Sequence, residues 1–297
     1  MEHMNMHTYT YTQDWDSFLH DMQYKSVNTA YRGKEQSLST GHGRFEFTHT
    51  NTYDDATELL THGWTEGRSE LARSTEFAKA LTHQGNAPAW QHAPAGAIPS
   101  VPAYCAGIAE CMMTPVGDEA ERSTPIVTIL VNIASAHTVK TSEMINRGAA
   151  IVALIDQIES AGQRVELIAS EKIECKVNNA IMDARVKVKE AHEHVDLDRV
   201  AMAVAHPSML RRFMFRVTEF TLEKFNPYYG MPRDHEESEL EHGTLYIPII
   251  PSNETMADAM YGTEERAVKR IAALWEETQV PAWKKSPLNL TTPPPRD

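Results

Sequence analysis

Residues 126–168 read IVTILVNIASAHTVKTSEMINRGAAIVALIDQIESAGQRVELI, and this stretch decides the fold. Its first six residues, Ile126–Val131, are mostly β-branched and apolar. A short continuous run of this kind is typical of a strand that is buried on both faces of a parallel sheet. The sequence therefore predicts a central strand here, covered by helices.

The predicted strand is followed by a loop, a helix and a second strand. Residues 132–139 (NIASAHTV) are small and polar and predict the loop. Ser142 suits a helix N-cap, and apolar residues then recur at spacings of three and four as far as Ala161. Gly162 suits the position just past a helix C-terminus, and 164–168 (RVELI) predicts the next strand. The stretch is thus one strand–helix–strand unit, for which a right-handed connection is expected.

The downstream sequence continues this alternation. Residues 173–177 and 184–188 flank the turn residues Asn178 and Asn179, which predicts an antiparallel hairpin at an edge of the sheet. The remaining predicted elements are helices over 195–205, 208–223 and 264–278 and a strand over 244–250. This order indicates the α/β class, with an open, mostly parallel Rossmann-like sheet and helices on both faces.

The region before the sheet predicts a helical arm. Its predicted elements are a frayed polar tail over 1–14, helices over 15–22, from Thr52 and over 66–81, an edge strand over 45–50, and a proline-rich segment without regular structure over 84–103. We therefore divide the chain into an N-terminal helical and irregular arm (1–115), an α/β domain (116–280) and a mobile tail (281–297). The proline run of this tail favours an extended conformation.

Composition excludes several classes of protein. The chain has 297 residues, of which 41% are hydrophobic, and a formal net charge of −13. Duplex nucleic acid is disfavoured as a partner, because neutralising its phosphates needs clustered Lys and Arg. The net charge does not exclude a local basic groove that binds a single strand. No run approaches the roughly 18 apolar residues of a membrane span, and residues 1–14 lack the apolar core of a signal peptide. Three cysteines without metal-ligand spacing predict buried thiols in a reducing cytoplasm.

The stretch 126–168 resembles the start of a von Willebrand factor type A domain, in which a first strand ending in Asp-x-Ser-x-Ser precedes a helix and an antiparallel hairpin. Residues 197–219 (LDRVAMAVAHPSMLRRFMFRVTE) are also similar to a group of phage and prophage proteins with such a core, and Gly63–Gly67 (GWTEG) and 101–104 (VPAY) add to that similarity. The resemblance covers about residues 60–275. It implies a type A-like scaffold in the cytoplasm of a bacterial host, and it carries over no activity.

The sequence departs from the type A pattern at the metal ligands. The three ligand positions fall on Asn132, Ala134 and Ala136, which lack the carboxylate and hydroxyl oxygens that Mg²⁺ prefers. We therefore expect no metal and no cofactor. The loop still follows a central strand at its C-terminal end, where open sheets bind ligands. The candidate ligand contacts, unless they are ordinary polar loop residues, are Asn132, Ser135, His137 and Thr138.

A second candidate surface lies in the run Met209–Phe220 (MLRRFMFRVTEF), whose apolar residues cover more than one helical stripe. A helix outside an α/β sheet needs one apolar face, so the surplus predicts an interface with a second copy or a partner protein. The interface candidates are Phe213, Met214, Arg211, Arg212 and Arg216. Two alternatives stay open. Residues 84–103 would cover this helix within the chain, or His206, Pro207 and Ser208 would form an anion site at a helix N-terminus together with Arg211 and Arg212.

These observations leave three hypotheses for the function. The first is a non-enzymatic protein–protein interaction or assembly factor on a type A-like scaffold that lacks the metal site. The second is an accessory factor that binds single-stranded nucleic acid through a local groove and aromatic residues such as Trp64, Tyr228 and Tyr229. The third is an enzyme whose site matches none of the motifs GxSxG, HExxH or CxxC.

Overall fold

The structure is a computed structural model, and it describes residues 6–27, 35–41, 43–67, 90–96, 98–115, 126–176, 179–221 and 230–279. The strands are β1 (His7–Asp14), β2 (Trp90–Ala93), β3 (Ile98–Pro99), β4 (Met112–Pro115), β5 (Ile126–Asn132), β6 (Arg164–Cys175), β7 (Ala180–Lys189), β8 (Met231–Pro232) and β9 (Leu245–Ile247). The helices are α1 (Trp15–Tyr24), α2 (Arg44–Thr48), α3 (Tyr53–His62), α4 (Val101–Cys105), α5 (Thr141–Ser160), α6 (Leu197–Val204), the π-helix Met209–Met214, α7 (Phe215–Thr221), the 3₁₀ turn Glu237–Glu239, α8 (Glu254–Tyr261) and α9 (Glu264–Gln279). Within these ranges, no helix has both the length and the apolar composition needed to cross a bilayer.

The predicted strand–helix–strand unit is present. β5 and β6 pair in parallel, from Ile126 opposite Arg164 to Asn132 opposite Ser170. α5 connects the two strands, and residues 147–155 of this helix are all buried, so its middle turns are covered on every side. Gly162 follows it with a φ of 85°, a conformation that glycine adopts at little cost, so the chain leaves the helix where the sequence predicted.

The main sheet has the strand order β1-β7-β6-β5-β9. The short strand β8 also pairs with β6, outside this order. The β1/β7, β5/β6 and β5/β9 pairs are parallel, whereas β6/β7 and β6/β8 are antiparallel. The predicted α/β class, with a mostly parallel central sheet flanked by helices, is confirmed. β9 is shorter than the predicted strand over 244–250, because Pro248 has no N–H for the ladder.

The hairpin of β6 and β7 is present, but β1 rather than β7 forms the edge of the sheet. β1 pairs with β7 along its whole length, from His7 opposite Ala180 to Asp14 opposite Lys187. The prediction that residues 1–14 are frayed is therefore wrong for 7–14. Tyr11 is buried while the threonines on either side of it are exposed, as an edge strand with one covered face requires.

Two further predictions for the arm are wrong. Residues 45–50 alternate in hydrophobicity, yet most of them lie in α2, which is bracketed by Gly43 at φ 78° and His49 at φ 60°. A segment this short cannot distinguish the period of a helix from that of a strand. Within 84–103, β2 and β3 pair with β4 in a small antiparallel sheet, so this segment has regular structure. The helix predicted over 66–81 lies, beyond Gly67, outside the described residues.

The two faces of the main sheet differ along β7. One face is apolar and buried, with the side chains of Ala180, Met182, Ala184, Val186 and Val188. The intervening Asp183, Arg185 and Lys187 are partly exposed. Helices α1 and α6 contact β7, whereas β8 and the residues after it pack near the polar side. Among the described residues, the helices that contact this strand therefore cover its apolar face.

The apolar run 209–220 is covered by the arm. Phe213 is 0% exposed, and its ring packs edge-on against Phe18 of α1 and Tyr53 of α3, with ring centroids 6.4 and 5.4 Å away. Met214 is equally buried. The predicted interface at these residues is thus corrected, because two helices of the same chain supply the cover that was expected from another chain or from residues 84–103.

Candidate functional site

A cavity lies at the carboxyl end of β5, where the predicted ligand loop begins. Its volume is about 610 Å³, which is in the range of sites for small molecules and peptide side chains. The described parts of its wall are residues 134–138 of the loop, Glu171 and Ile173 of β6, Leu210, Arg211 and Phe215 of the helical run, residues 230–232, Ser252, and Gln36, Arg44 and Phe47 of the arm.

Three of the four predicted ligand contacts line this cavity. Ser135 continues the sheet through a parallel bridge to Ile250, and its hydroxyl lies 3.9 Å from Sδ of Met144. Thr138 Oγ1 donates to the main-chain oxygen of Ser252 at 3.2 Å. His137 is exposed at the rim. The sequence therefore located the loop that forms one wall of the cavity.

Asn132, the fourth candidate, is held inside the fold. Its Nδ2 donates to the main-chain oxygen of Arg233 at 2.9 Å and to the hydroxyl of Tyr246 at 3.3 Å. Its Oδ1 accepts from the backbone N–H of Ala134 at 3.2 Å. These bonds use the side chain to shape the start of the loop, and it does not line the cavity.

The three positions that correspond to metal ligands in type A domains lie in and beside the cavity. Ala134 and Ala136 line the cavity with methyl groups, and Asn132 turns away from it. In the described ranges, no group of three or more His, Cys, Asp or Glu side chains is arranged to hold a metal ion. The polarity of the wall comes from other residues.

Arg211 supplies a positive charge to the wall. It is 2% exposed, and its guanidinium lies 4.1 Å from the centre of the Phe47 ring. It donates to the main-chain oxygens of Val139 at 2.6 Å and Phe47 at 2.8 Å, and to Oγ1 of Thr141 at 3.3 Å. Burial lowers its pKa to about 10, so the side chain stays protonated at neutral pH. Among the described residues, no acidic side chain forms an ion pair with it.

Glu171 supplies a buried carboxyl group to the same wall. It is 1% exposed, and within the described structure its Oε2 has no hydrogen-bond partner. Burial raises its pKa to about 8, so the group is mainly protonated and neutral at pH 7. Glu171 was not among the site residues predicted from the sequence. A signal was present, because Glu171 shares the strand face of the apolar Val165, Leu167 and Ala169.

Arg212 and Arg216 bind the arm instead of lining an interface. Arg212 is 0% exposed and donates to Oγ1 of Thr50 at 2.7 Å and to the main-chain oxygen of Ser37 at 2.9 Å. Arg216 pairs with Glu35 at 3.4 Å, and its side chain is 13% exposed. The prediction that these arginines rim a surface for another chain is corrected, because their hydrogen bonds hold N-terminal segments onto the helical run.

The aromatic and histidine candidates are also buried. Trp64 is 3% exposed, and its ring lies edge-on to His206, 4.9 Å between centroids. Trp64 therefore presents no face on which a nucleotide base could stack, and Tyr228 and Tyr229 lie outside the described residues. Burial lowers the pKa of His206 to about 3, so this histidine is neutral and adds no charge for an anion.

A second polar cluster lies on the opposite face of β6. Ser170 Oγ lies 3.1 Å from Nε2 of His235, and Nδ1 of His235 lies 3.9 Å from Asp183, an order of groups that resembles a nucleophile, a base and an acid. Ser170 is 0% exposed and also donates to the main-chain oxygen of Val131 at 3.3 Å. Arg185 lies 3.3 Å from Nδ1 of His235. These bonds join β5, β6, β7 and the segment after β8, and the serine hydroxyl is buried among them.

The comparison with protein families gives one match. A family model described as Domain of unknown function (DUF7192) matches residues 2–273, so the chain belongs to that family. No curated protein and no solved structure matches the chain. The family match extends from the N-terminal strand of the sheet into α9, and it therefore includes both the arm and the cavity.

Proposed function

We propose that this member of the DUF7192 family is a non-enzymatic recognition protein whose cavity binds an acidic group of a partner. The observation that carries the proposal is Arg211, a buried cation in the cavity wall that has no acidic partner in the described part of the chain. A buried charge is costly unless it is paired, so a ligand carboxylate would stabilise this site. The guanidinium has five N–H donors and the structure shows three bonds from it, which leaves donors for such a carboxylate.

The resemblance to type A domains is consistent with this proposal. At the positions where a type A domain supplies metal ligands, this chain has Ala134 and Ala136, and Arg211 brings a positive charge to the same cavity. We infer that the acidic group is bound by arginine rather than through a metal ion. The similarity to phage and prophage proteins adds the proposal that this recognition serves an interaction or assembly step in the cytoplasm of a bacterial host.

The chemistry of the wall favours recognition over catalysis. A nucleophilic serine needs a base within hydrogen-bond reach. Ser135 is the serine of the predicted loop, and the group beside its hydroxyl is the thioether of Met144. The Ser170–His235 pair has closer geometry, but it lies buried on the opposite face of β6.

The proposal is tested with two probes of the same shape, 4-phenylbutyrate and 4-phenylbutanamide, which differ in charge. We expect the carboxylate to bind at least about tenfold more tightly than the amide by calorimetric titration, as expected for a charge-assisted contact. Arg211→Met should remove this preference, and Arg211→Lys should keep part of it, because lysine retains the charge but loses the fork.

The matched control is Arg199→Met, which removes a partly exposed arginine that pairs with Glu193 at 3.6 Å. This variant should retain the preference for the carboxylate. Circular dichroism verifies that each variant is folded. Equal binding of the two probes by the native protein, or an undiminished preference in folded Arg211→Met, would refute the proposed acidic anchor.

A further inference from the structure

Glu171 is a buried acid to which the described fold gives no bond at Oε2. It lies opposite Ala184 of β7, and Ala169 and Ile173 are its neighbours on the same face of β6. The group is 1% exposed and lines the cavity. A carboxyl group buried without a hydrogen-bond partner costs stability, and an apolar side chain would suit this layer better. Packing therefore does not explain the residue, and a ligand in the cavity does.

We propose that Glu171 is a second anchor of the cavity and that the ligand carries an ammonium or guanidinium group in addition to the acidic group bound by Arg211. The ligand class is therefore zwitterionic, with an acid and a base on one small molecule or one peptide segment. This inference extends the proposed function and rests on it for the acidic anchor.

The two anchors lie on different elements of the wall, Glu171 in β6 and Arg211 in the π-helix. In the described structure, neither a hydrogen bond nor an ion pair joins them. The other charged or titratable groups in the described wall are Arg44, which donates to Oε1 of Gln36, and the exposed His137. The apolar side chains of Ile173, Leu210 and Phe215 in the wall suit an aliphatic linker between the two charges.

Binding of such a ligand releases a proton. In the free protein, burial raises the pKa of Glu171 to about 8, so the carboxyl group is mainly protonated at pH 7. A ligand cation beside it favours the carboxylate, and the proton leaves to solvent. The affinity should therefore rise from pH 6 to pH 8 by at most about tenfold per pH unit, and should become constant above the pKa of the free group.

The test uses ω-amino carboxylates of four to eight carbons, together with the carboxylates and the alkylammonium ions of the same lengths, titrated calorimetrically at pH 6, 7 and 8. We expect at least one amino carboxylate to bind about tenfold or more tightly than its simple carboxylate at pH 8, with an advantage that shrinks towards pH 6. Glu171→Gln should lose this advantage and keep the binding of the simple carboxylate.

Two control variants isolate Glu171 from other groups. Glu166→Gln changes an acid of the same strand that pairs with Lys187 at 3.6 Å, and His137→Gln changes the histidine of the described wall. Both should retain the advantage of the amino carboxylate and its rise with pH.

The outcomes separate the two proposals. If no amino carboxylate binds more tightly than its carboxylate, or if folded Glu171→Gln keeps the advantage, the second anchor is refuted while the acidic anchor stands. If the carboxylates fail to bind but alkylammonium ions bind in a manner that depends on Glu171, the acidic anchor is refuted and the second anchor stands. Failure of all three probe classes refutes both.

Discussion

Ser170, Glu171 and Lys172 are consecutive buried residues of β6. They differ in whether their side chains have hydrogen-bond partners on the face to which they point. Ser170 bonds to His235 at 3.1 Å, and Lys172 bonds to Glu239 at 2.5 Å, both on the polar face. Glu171 points to the apolar face, and its Oε2 has no partner in the described structure. Ser170 and Lys172 are thus held by partners within the chain, whereas Glu171 has an unpartnered oxygen and lines the cavity.

The acids of the two faces also differ in the direction of their pKa shifts. Burial raises the pKa of Glu171 to about 8. Burial acts in the same direction on Glu239, but hydrogen bonds from Lys172 and from the backbone outweigh it and lower the pKa of Glu239. The comparison therefore predicts opposite results for substitutions on the two faces.

Leu154→Ala gives the reference change in the free energy of unfolding, because this residue makes only apolar side-chain contacts. Leu154 is 4% exposed in α5, so its truncation should lower the free energy of unfolding by about 2–5 kcal/mol, from lost burial and a cavity. Chemical denaturation measures this change. The control is Ile126→Ala, at a residue that is 62% exposed, which should change the stability by less than about 0.5 kcal/mol. A loss near zero for Leu154→Ala would contradict its place in the core.

His235→Leu tests the partnered face. The substitution replaces the imidazole by an apolar side chain of similar size. It removes the bond to Ser170 and the ring nitrogen beside Arg185. We expect a loss of about 1–3 kcal/mol, because it leaves buried polar groups with fewer partners. Urea denaturation at pH 7 gives the value. An unchanged midpoint would show that the polar network contributes little, and the contrast between the two faces would fail.

Glu171→Leu tests the unpartnered face, where the expected sign is reversed. Replacing a buried acid by an apolar side chain should raise the free energy of unfolding by about 1 kcal/mol at pH 7, because the desolvation cost disappears. A loss of stability comparable to that of Leu154→Ala would show that Glu171 supports the fold.

The pH dependence of the native protein gives an independent measure of the same group. The pKa of Glu171 is raised from its ordinary value of 4.5 to about 8 in the folded chain, so between these values the folded state holds a proton that the unfolded state has lost. Its contribution to stability is present at low pH and falls as pH rises through this window, by at most about 1.4 kcal/mol per pH unit. Compared with the native chain, Glu171→Leu should lose less stability between pH 5 and pH 8.

The sequence predicted the parts of the molecule whose patterns are local. β5, α5 and β6 have a continuous apolar run and a helical period, and the rule that ligands bind at the carboxyl ends of strands located Ser135, His137 and Thr138 beside the cavity. β1 was missed because an edge strand with one covered face is largely polar. Its partner β7 lies far along the chain, so no local pattern reveals the pairing.

The charged residues of the cavity depend on contacts that are remote in sequence. Arg211 reaches main-chain oxygens 72 and 164 residues away, and no local pattern separates such an arginine from a surface one. Glu171 was within reach, because it interrupts a strand face that is otherwise apolar. Its lack of a partner at Oε2 becomes visible only in three dimensions.

Divalent cations test the loop after β5, where the smallest effect is expected. Asn132 is committed to Ala134, Arg233 and Tyr246, and the two alanines of the degenerate motif carry no oxygen in their side chains. A metal that bound the native state would raise the thermal midpoint by mass action. Millimolar Mg²⁺ or Mn²⁺ should therefore leave the midpoint unchanged, because the loop offers too few hard oxygen ligands in place.

The measurement is a thermal scan with and without cation, and a saturable rise of the midpoint that EDTA reverses would refute this prediction. Such a rise would indicate that a metal ion binds at this loop. The acidic group of a ligand could then be bound through the metal, and Arg211 would not be required as the cation of the cavity.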